Sequence, residues 1–444
     1  MPINTYTDAL TYFYSYAHFN PADTSNWSLD RMRGLLARLG DPEKKFPSIL
    51  IAGTKGKGST AAITESIFRA AGYKTGLYTS PHLHSFRERI RINGELIAEE
   101  HVVDLARRLK PFFEETPGLT AFELITAVAF TAFAEAGVDV AVVEVGLGGR
   151  LDATNALDPT IAVITSISYD HMQILGNTLG LIAREKAGII RPGALVVSAP
   201  QYREAMQVIE EVCTEKAARL VVVNHHWNWN IGQCTNLDGQ PFTVDGHTYW
   251  LSLLGEHQVV NAITALAALD GFEERTGLSV PEEARKQGIA SVQWPGRLEI
   301  LSRRPFLVLD SAMNGDSADK LARALKKCFG RETATFIFGA SADHPIYDML
   351  HVFLPMSERM IVTAAHHPRA ARPEALVQTA TELGGNVAAA PDGAAALEMA
   401  LENAAPDDLI CVAGSLFLVA DVREAWMKKM HLPLPPIDPM VVST

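Results

Sequence analysis

The sequence predicts an α/β protein in which a large domain with a mostly parallel sheet is followed by a smaller C-terminal α/β domain. From about residue 46, short apolar runs alternate with stretches of helical periodicity. The alternation is interrupted near residue 298 and then resumes. The 444 residues also exceed what one ordinary core accommodates, which favours two domains.

The predicted strands of the large domain are apolar runs separated by helical stretches. They are Ile49–Ala52, Thr75–Thr79, Val138–Val145, Ile161–Thr165, Leu195–Ser198 and Leu220–Val223. Alternation of this kind is typical of a parallel sheet covered by helices on both faces. Residues 225–254, rich in Trp, Asn, Gly and Thr, predict instead a small antiparallel insertion, and a long helix of about His257–Glu274 follows.

The succession Trp294, Pro295, Gly296 ends that helical pattern and indicates a domain boundary and hinge. We therefore expect an N-terminal domain of residues 1–298, a C-terminal domain of residues 299–430 and a Pro-rich tail of residues 431–444. The predicted elements of the second domain are strands Phe306–Leu309, Thr335–Phe338, Met360–Thr363 and Leu409–Val412, with helices over Ser317–Phe329, from Ile346 and from Pro373.

Composition excludes several classes of function. The formal charge of −12 argues against a broad nucleic-acid footprint, so anionic ligands need locally built sites. The four cysteines have no C-x-x-C spacing, which excludes a zinc ribbon and favours a reducing compartment. No Lys or Arg precedes Arg31, and the apolar run Leu124–Ala134 is too short to span a bilayer. We expect a soluble, cytoplasmic protein without nucleic-acid or membrane partners.

The strongest local signal is I-L-I-A-G-T-K-G-K-G-S-T, residues Ile49–Thr60, which a helical run follows. Three glycines let backbone N–H groups approach phosphate oxygens, and the helix start adds positive potential. Lys57 would neutralise phosphate, and Ser59 or Thr60 could reach magnesium. The Lys precedes the last Gly, unlike the common nucleoside-triphosphatase spacing, and the alternative is simply a tight strand-to-helix turn.

Two further candidates follow predicted strands. Glu144 ends an apolar run and opens into G-L-G-G-R, a position where α/β sheets place a metal ligand beside a nucleotide. The same carboxylate could instead cap a helix or pair with Arg150. Asp170 and His171 follow the next strand, and a lone His here could bind metal or hydrogen-bond within a loop.

In combination these motifs resemble the folylpolyglutamate synthase and dihydrofolate synthase family, the folate branch of the Mur ligase superfamily. The resemblance runs in order over nearly the whole chain. Its motifs are S-L-D-R-M (Ser28–Met32), G-T-K-G-K-G-S, T-S-P-H-L (Thr79–Leu83), R-E-R-I-R-I-N-G (Arg87–Gly94), E-V-G-L-G-G-R-L-D-A-T-N (Glu144–Asn155), D-H, E-K-A-G-I (Glu185–Ile189), G-E-H-Q-V-V-N-A (Gly255–Ala262), P-G-R-L-E (Pro295–Glu299) and G-S-L-F-L-V (Gly414–Val419).

The resemblance implies a Mur-ligase-like fold, with a P-loop-type ATPase domain, and an ATP-dependent ligase. Such enzymes join glutamate to a folate or dihydropteroate carboxylate through an acyl phosphate, with Mg2+, and are generally monomeric. It implies that Ser80, Glu144 and His171 bind magnesium and that Lys186 carries a carbamate. From sequence alone Lys186 beside Glu185 reads as a surface charge. The implied ATP-binding residues are Gly53, Thr54, Gly56, Lys57, Gly58, Ser59, Thr60, Asn261, Arg297 and Asp310. The implied pterin-substrate residues are Trp27, Ser28, Leu29, Thr120, Phe122, Glu123, Leu151, Asp152 and Ala153.

Three positions depart from the family pattern. Met313 stands where the family has His, His344 stands where it has Lys, and Lys55 stands where Asn is frequent. A thioether cannot donate a hydrogen bond or carry charge, so the role of that His is lost or supplied elsewhere. Three possibilities remain: an ordinary folate ligase, a ligase retuned for another acid or amine, and a nucleotide-binding module without ligase activity.

One cationic cluster was expected to assist anion binding. Arg87, Arg89 and Arg91 alternate in sequence, so that a strand over this segment would align them on one face. The alternative is a solvated edge strand that its charges keep from aggregating.

Overall fold

The computed structural model describes residues 2–16, 28–234 and 236–439. The helices before residue 298 are α1 (Tyr6–Tyr14), α2 (Leu29–Arg38), α3 (Lys57–Ala70), α4 (Glu99–Glu114), α5 (Ala121–Ala136), α6 (Met172–Leu175), α7 (Leu179–Ala187), α8 (Arg203–Glu215), α9 (Val223–His226), α10 (Glu256–Thr276) and α11 (Glu282–Ser291). The strands are β1 (Ser48–Ala52), β2 (Thr75–Tyr78), β3 (Ile90–Ile92), β4 (Glu95–Leu96), β5 (Val140–Glu144), β6 (Ile161–Ile164), β7 (Leu195–Ser198), β8 (Arg219–Val222), β9 (Trp229–Ile231), β10 (Gln240–Val244) and β11 (His247–Leu251).

Eight of these strands form one sheet in the order β4-β3-β2-β5-β1-β6-β7-β8. The six strands from β2 to β8 in this order are parallel, and β3 and β4 add an antiparallel edge. Buried apolar clusters cover both faces, as the near-continuous apolar strands require. The mostly parallel sheet is therefore confirmed. Because β1 lies between β5 and β6, the ends Ala52, Glu144 and Ile164 come together at one edge.

The predicted antiparallel insertion is also confirmed, since β9, β10 and β11 form a separate three-stranded antiparallel sheet. Gln240 of β10 donates from its side-chain amide to the carbonyls of Leu253 (2.9 Å) and Gly255 (2.8 Å). These bonds fix the insertion against the start of α10, which carries Asn261.

The second unit begins with β12 (Glu299–Arg303). Its other strands are β13 (Phe306–Leu309), β14 (Ala334–Phe338), β15 (Ser357–Val362), β16 (Val387–Ala389) and β17 (Leu409–Ala413). Its helices are α12 (Gly315–Phe329), α13 (Ile346–Phe353), α14 (Pro373–Glu382), α15 (Gly393–Leu401) and α16 (Leu416–Lys429). The order is β12-β13-β17-β14-β15-β16, with only β12 antiparallel among the described strands.

Beyond α16, residues 432–439 form no helix or strand, as their prolines predict. Asp438 nevertheless returns to the first unit, where it accepts hydrogen bonds from Tyr6, Ser85 and Phe86. Within the described ranges, no helix is both long and apolar enough to cross a membrane.

Candidate functional site

The glycine-rich turn between β1 and α3 has a backbone that only glycine permits at two points. Gly53 has φ +146° and Gly56 has φ +90°. A Cβ on Gly53 would overlap the Thr165 hydroxyl, and one on Gly56 would overlap the Asn261 amide. The N–H groups of Thr54 and Lys55 both donate to the Ser166 carbonyl, at 2.9 and 3.0 Å. The turn is thus held firmly while α3 begins at Lys57 with its amides directed at the turn.

The first turn of α3 retains unused hydrogen-bonding capacity. The hydroxyl oxygen of Thr60 is buried and has no hydrogen-bond partner among the described residues. A buried hydroxyl without a partner costs free energy, and such groups need an explanation. A phosphate oxygen or hydrated cation at the helix start would supply the partner. The observation fits the predicted phosphate loop of Gly53, Thr54, Gly56, Lys57, Gly58, Ser59 and Thr60.

Glu144 lies at the end of β5, beside this turn. A Cβ placed on Gly58 would lie 3.4 Å from a Glu144 carboxylate oxygen and 3.1 Å from the Trp294 ring. The Ser80 N–H donates to Glu144 at 3.0 Å. Burial raises the pKa of Glu144, and the positive charges of Lys57 and Arg297 oppose this shift. The alternative pairing of Glu144 with Arg150 is not formed, because Arg150 pairs with Glu185 at 2.9 Å.

Lys186 is buried, so its reading as a surface charge is wrong. Its ammonium nitrogen donates to the Gly53 carbonyl at 2.9 Å. Burial, together with the charge of Lys57, lowers the pKa of Lys186 to about 7. A substantial neutral fraction of this amine is therefore present near neutral pH, and the neutral amine is the form that adds to carbon dioxide. Neither periodicity nor local charge signals this; only the E-K-A-G-I resemblance did.

A small cavity of about 40 Å³ lies between the glycine-rich turn and Lys186. Its wall includes Lys57, Asp170 and His171. His171 has φ +48°, a left-handed conformation, at the start of the short helix α6, and its side chain is half exposed. Partial burial of the imidazole lowers the pKa of His171, and the negative charge of Asp170 opposes this shift. Neutral imidazole is the form that ligates metals.

Asp170 joins three parts of the chain. Its carboxylate accepts from the Lys55 ammonium at 2.8 Å and from the Asn314 side-chain amide at 3.4 Å. Burial alone would raise the pKa of Asp170, but Lys55 and His171 lower it to about 2. Burial lowers the pKa of His344, which also lies in the field of the Asp170 and Lys55 charges. The departing residues Lys55 and His344 thus both lie within electrostatic reach of Asp170.

Arg297 and Asp310 come together at the junction of the two units. Asp310 accepts from the N–H groups of Leu298 and Ala312, both at 2.9 Å. Burial lowers the pKa of Arg297, while the carboxylates of Asp310 and Glu144 oppose the shift. The guanidinium therefore lies in the field of the predicted metal ligand. Met313, close by in sequence, donates only its backbone N–H, to the Ser317 hydroxyl at 3.0 Å.

A larger cavity, about 360 Å³, opens on the other side of the glycine-rich turn. Its walls come from that turn, the three-stranded insertion, α10 and α12. Asn261 and His257 line it from α10, and Lys320 lines it from α12. Its volume is in the range of small-ligand sites, and cationic side chains line its wall. The structure thus brings Asn261 to the predicted phosphate loop, as the family resemblance implies.

The donor set suits magnesium, which takes oxygen ligands and keeps several waters and phosphate oxygens. Glu144 supplies a buried carboxylate, and the Thr60 hydroxyl is unpartnered. The described residues contain no cluster of three His, Cys, Asp or Glu side chains that could hold a metal without help. A metal here would therefore need ligands from a nucleotide, which fits the position of Glu144 beside the phosphate loop.

The residues implied for the pterin substrate lie in three places. Trp27 is outside the described residues, while Ser28 and Leu29 begin α2 and Thr120 caps α5. Glu123 pairs with Arg31 at 3.0 Å and also accepts from Thr120. Phe122 packs against Gly146, where a Cβ would approach its ring within 2.5 Å.

The remaining substrate candidates, Leu151 to Ala153, lie in the loop after Glu144. Asp152 is buried and accepts from the N–H groups of Leu147 and Thr154, at 2.9 and 3.0 Å. Its carboxylate therefore holds the shape of this loop. This internal use leaves the neighbouring backbone and Leu151 as the parts of the loop available to a ligand.

The expectation for the arginine cluster is wrong. Residues Phe86–Arg89 form a 3-10 turn, and only Arg91 lies in a strand. Arg87 donates to the Ile97 carbonyl at 2.5 Å, Arg89 donates to His82 at 2.9 Å, and Arg91 lies over the Trp294 ring. The capping pair of Ser85 and Glu88 ends the alternation that a strand would need.

Comparison with known proteins agrees with this geometry. Residues 51–269 match the Mur ligase middle domain, and residues 296–416 match the Mur ligase glutamate ligase domain. The fold and the site therefore define a ligase of the Mur type, with the nucleotide loop in the first match. The chain is 35% identical over 409 residues to a dihydrofolate synthase/folylpolyglutamate synthase of Bacillus subtilis, covering 89% of this chain and 94% of that protein. It belongs to the folylpolyglutamate synthase/dihydrofolate synthase family.

Two solved structures show the same fold at full length. One is Escherichia coli FolC in complex with DHPP and ADP, with a TM-score of 0.86, 33% identity, and coverage of 97% of this chain and 99% of that chain. The other is the Yersinia pestis bifunctional folylpolyglutamate synthase/dihydrofolate synthase complexed with AMPPNP and Mn, with a TM-score of 0.83, 31% identity, and coverage of 97% and 99%. The Mur-ligase-like α/β fold is confirmed.

Proposed function

We propose that this protein is an ATP- and Mg2+-dependent ligase that joins L-glutamate to the carboxylate of a folate or dihydropteroate. The single observation that carries the proposal is the convergence of Lys57, Glu144 and Lys186 on the glycine-rich turn. The Glu144 carboxylate lies beside Gly58 and Ser80, and Lys186 donates to Gly53 at 2.9 Å. A nucleotide-binding module without chemistry would not need a buried amine with a pKa of about 7.

The chain's own residues account for the charge that the reaction builds up. A carboxylate is a poor electrophile, so its oxygen is first phosphorylated to an acyl phosphate, and the amine of glutamate then displaces phosphate. Lys57 and Arg297 place positive charge around the phosphoryl group in flight. A bound magnesium ion, held by Glu144, Ser80 and His171, would neutralise phosphate oxygens and assist their orientation. The Lys186 carbamate would give the site a second anionic ligand.

Water must be kept from the acyl phosphate until the amine arrives. The two units already meet around the site, because Asp170 of the first unit accepts from Asn314 of the second at 3.4 Å. A site enclosed between two units excludes water and orients the amine toward the acyl carbon. We propose that residues 1–298 bind ATP and the pterin substrate and that residues 299–430 bind glutamate.

Purified protein with ATP, Mg2+, a reduced folate and glutamate should release phosphate only when both co-substrates are present. Mass spectrometry should find the folate extended by a glutamyl residue, and dihydropteroate in its place tests the second activity. The Lys57→Ala variant is the control for contaminating ATPases. Phosphate release that is independent of glutamate would contradict the proposal. A product formed with another amine instead would favour a ligase retuned through Met313 and His344.

We further propose that the protein acts as a monomer in the cytoplasm, with small molecules as its partners. Gel filtration with light scattering at assay concentration tests the first point. A dimer as the active species would contradict it.

A further inference from the structure

The C-terminal tail holds a segment of the first unit that carries a predicted metal ligand. Asp438 accepts from the Ser85 hydroxyl at 2.8 Å, from the Phe86 N–H at 2.6 Å and from the Tyr6 hydroxyl at 2.8 Å. Its own N–H donates to the His84 carbonyl at 3.2 Å. Asp438, more than 350 positions away in sequence, therefore binds residues 84–86 through both its side chain and its backbone.

The groups that donate to Asp438 are two hydroxyls and one backbone N–H. The Asp438 side chain is 15% exposed, and the His82 ring nitrogen Nε2 lies 4.0 Å from its carboxylate. Charge-assisted hydrogen bonds to a largely enclosed carboxylate are among the stronger side-chain interactions. Asn at this position would preserve the shape but would remove the negative charge and replace one of the two acceptor oxygens by an NH2 donor.

The segment that Asp438 contacts is part of a turn that Glu88 holds together. Glu88 accepts from the N–H groups of Leu83, His84 and Ser85, at 2.8, 2.8 and 3.0 Å. A displacement at residues 84–86 is therefore passed along the turn. Ser80 stands at its other end, with its N–H on Glu144 at 3.0 Å.

The second unit contacts the same turn. Leu83 packs against the apolar cluster under α16, and Arg423 of α16 lies 3.4 Å from His84. Arg423 also pairs with Glu299 at 2.9 Å, next to the hinge. The tail leaves α16 at Lys429 and reaches Asp438 after mostly exposed residues. The turn is thus the point where the second unit, through α16 and the tail, meets the Ser80 side of the site.

We propose that Asp438 is a positioning residue for the ligase reaction, which holds the turn of residues 82–86 so that Ser80 is presented beside Glu144. The proposal rests on the proposed function for the role of Ser80 in metal binding. The tail is thereby part of the active enzyme and not a disposable end of the chain.

The test is Asp438→Asn in the full-length protein, with Ile437→Ser as the matched control. Ile437 is 43% exposed, so its replacement changes the tail but leaves the carboxylate in place. Tyr6→Phe removes one donor to Asp438 from the opposite side and should give a smaller effect in the same direction. Thermal unfolding of each variant establishes that the protein folds.

Two readouts are expected to change together in Asp438→Asn. Hydrogen exchange of the Phe86 amide should accelerate about tenfold, because its acceptor is weakened. The Mg2+ concentration for half-maximal phosphate release should rise about tenfold, with a smaller change in kcat at saturating Mg2+. A change in stability alone would lower the midpoint of unfolding without moving the Mg2+ dependence.

Unchanged exchange at Phe86 would overturn the proposal, as would faster exchange with an unchanged Mg2+ dependence. If the wild-type protein shows no ligase activity, the proposed function fails, but the positioning role can still be tested by metal binding. Calorimetric binding of Mn2+ in the presence of ADP then replaces turnover. Weaker Mn2+ binding by Asp438→Asn than by Ile437→Ser supports the proposal, and equal binding overturns it.

Discussion

The Lys55 ammonium lies 2.8 Å from the Asp170 carboxylate, and Asn314 reaches the same oxygen from the second unit. The pair links the glycine-rich turn to the loop after β6 and to the cap of α12. Side chains of Lys55 and Asp170 are only 18% and 23% exposed, so solvent screens their attraction weakly. This relationship gives Lys55 a structural role in addition to its charge near phosphate.

A double-mutant cycle with Lys55→Met and Asp170→Asn should measure a coupling free energy of about 1–3 kcal/mol in urea unfolding. The physical reason is the charge-assisted hydrogen bond in a sheltered position. The exposed pair of Lys44 and Asp41, 3.1 Å apart, is the control and should couple by less than about 0.5 kcal/mol. Equal coupling in the two cycles would contradict the inference that the Lys55–Asp170 pair is strengthened by its sheltered position.

Lys57→Ala should reduce turnover about 10²- to 10³-fold, because it removes a cation from the transferring phosphoryl group. The midpoint of thermal unfolding should change little, since Lys57 begins α3 with its side chain toward the small cavity. Exposed Lys45→Ala serves as control for the loss of one positive charge. Near-normal turnover in Lys57→Ala would remove the turn from the reaction.

Glu144→Gln should abolish turnover and raise the free energy of unfolding by about 1 kcal/mol. The carboxylate is buried with a raised pKa, so its charge is costly in the protein without metal. The amide keeps an oxygen for the Ser80 N–H but is a poor magnesium ligand. Urea unfolding without metal and turnover at several Mg2+ concentrations test both parts. Activity restored by high Mg2+ would mean that Glu144 acts only in affinity.

Met313→His should raise glutamate-dependent turnover about tenfold if the missing imidazole is a deficit, since one charge-assisted hydrogen bond is worth about that factor. Met313 directly precedes Asn314, the cap of α12, at the junction of the units. Exposed Met430→His is the control. Unchanged or lower turnover would show that the second unit has been rebuilt around Met313.

The free energy of unfolding should fall as the pH drops from 6.5 to 4, in part because of His257. Burial and the charges of Lys320 and Arg297 lower the pKa of His257 from 6.5 to about 4. The unfolded chain therefore binds the proton first, and stability is lost below pH 6.5, by about 3 kcal/mol near pH 4. His257→Gln should flatten this slope in urea titrations, whereas His431→Gln, at an exposed position, should leave it as in the wild type.

Local sequence patterns predicted the elements whose burial is reflected in their own residues. The parallel strands of the large sheet are mostly apolar because helices cover both faces of that sheet, and each was predicted to within two residues at either end. The edge strands β12 and β16 were missed. Both are only partly buried, and β12 carries Ser302 and Arg303 among its apolar residues. An edge strand obtains its partner from elsewhere in the chain, so its own sequence identifies it poorly.

The site divides in the same way. The glycine-rich turn could be predicted because its strand, glycines and helix are contiguous. The buried position of Lys186 could not be predicted from local pattern, since its contact with Gly53 and the nearby charge of Lys57 come from residues more than 125 positions earlier. Asp438 gives no sequence signal either, because a proline-rich stretch predicts extension and says nothing about where the chain docks.

The cavity beside the glycine-rich turn is built from parts of the chain that are synthesised at different times. Its walls include Asn261 from α10 and Lys320 and Cys328 from α12. A nascent chain that has emerged only as far as α10 holds the turn and Asn261 but lacks the α12 wall. The cavity can therefore be complete only after translation has passed residue 328.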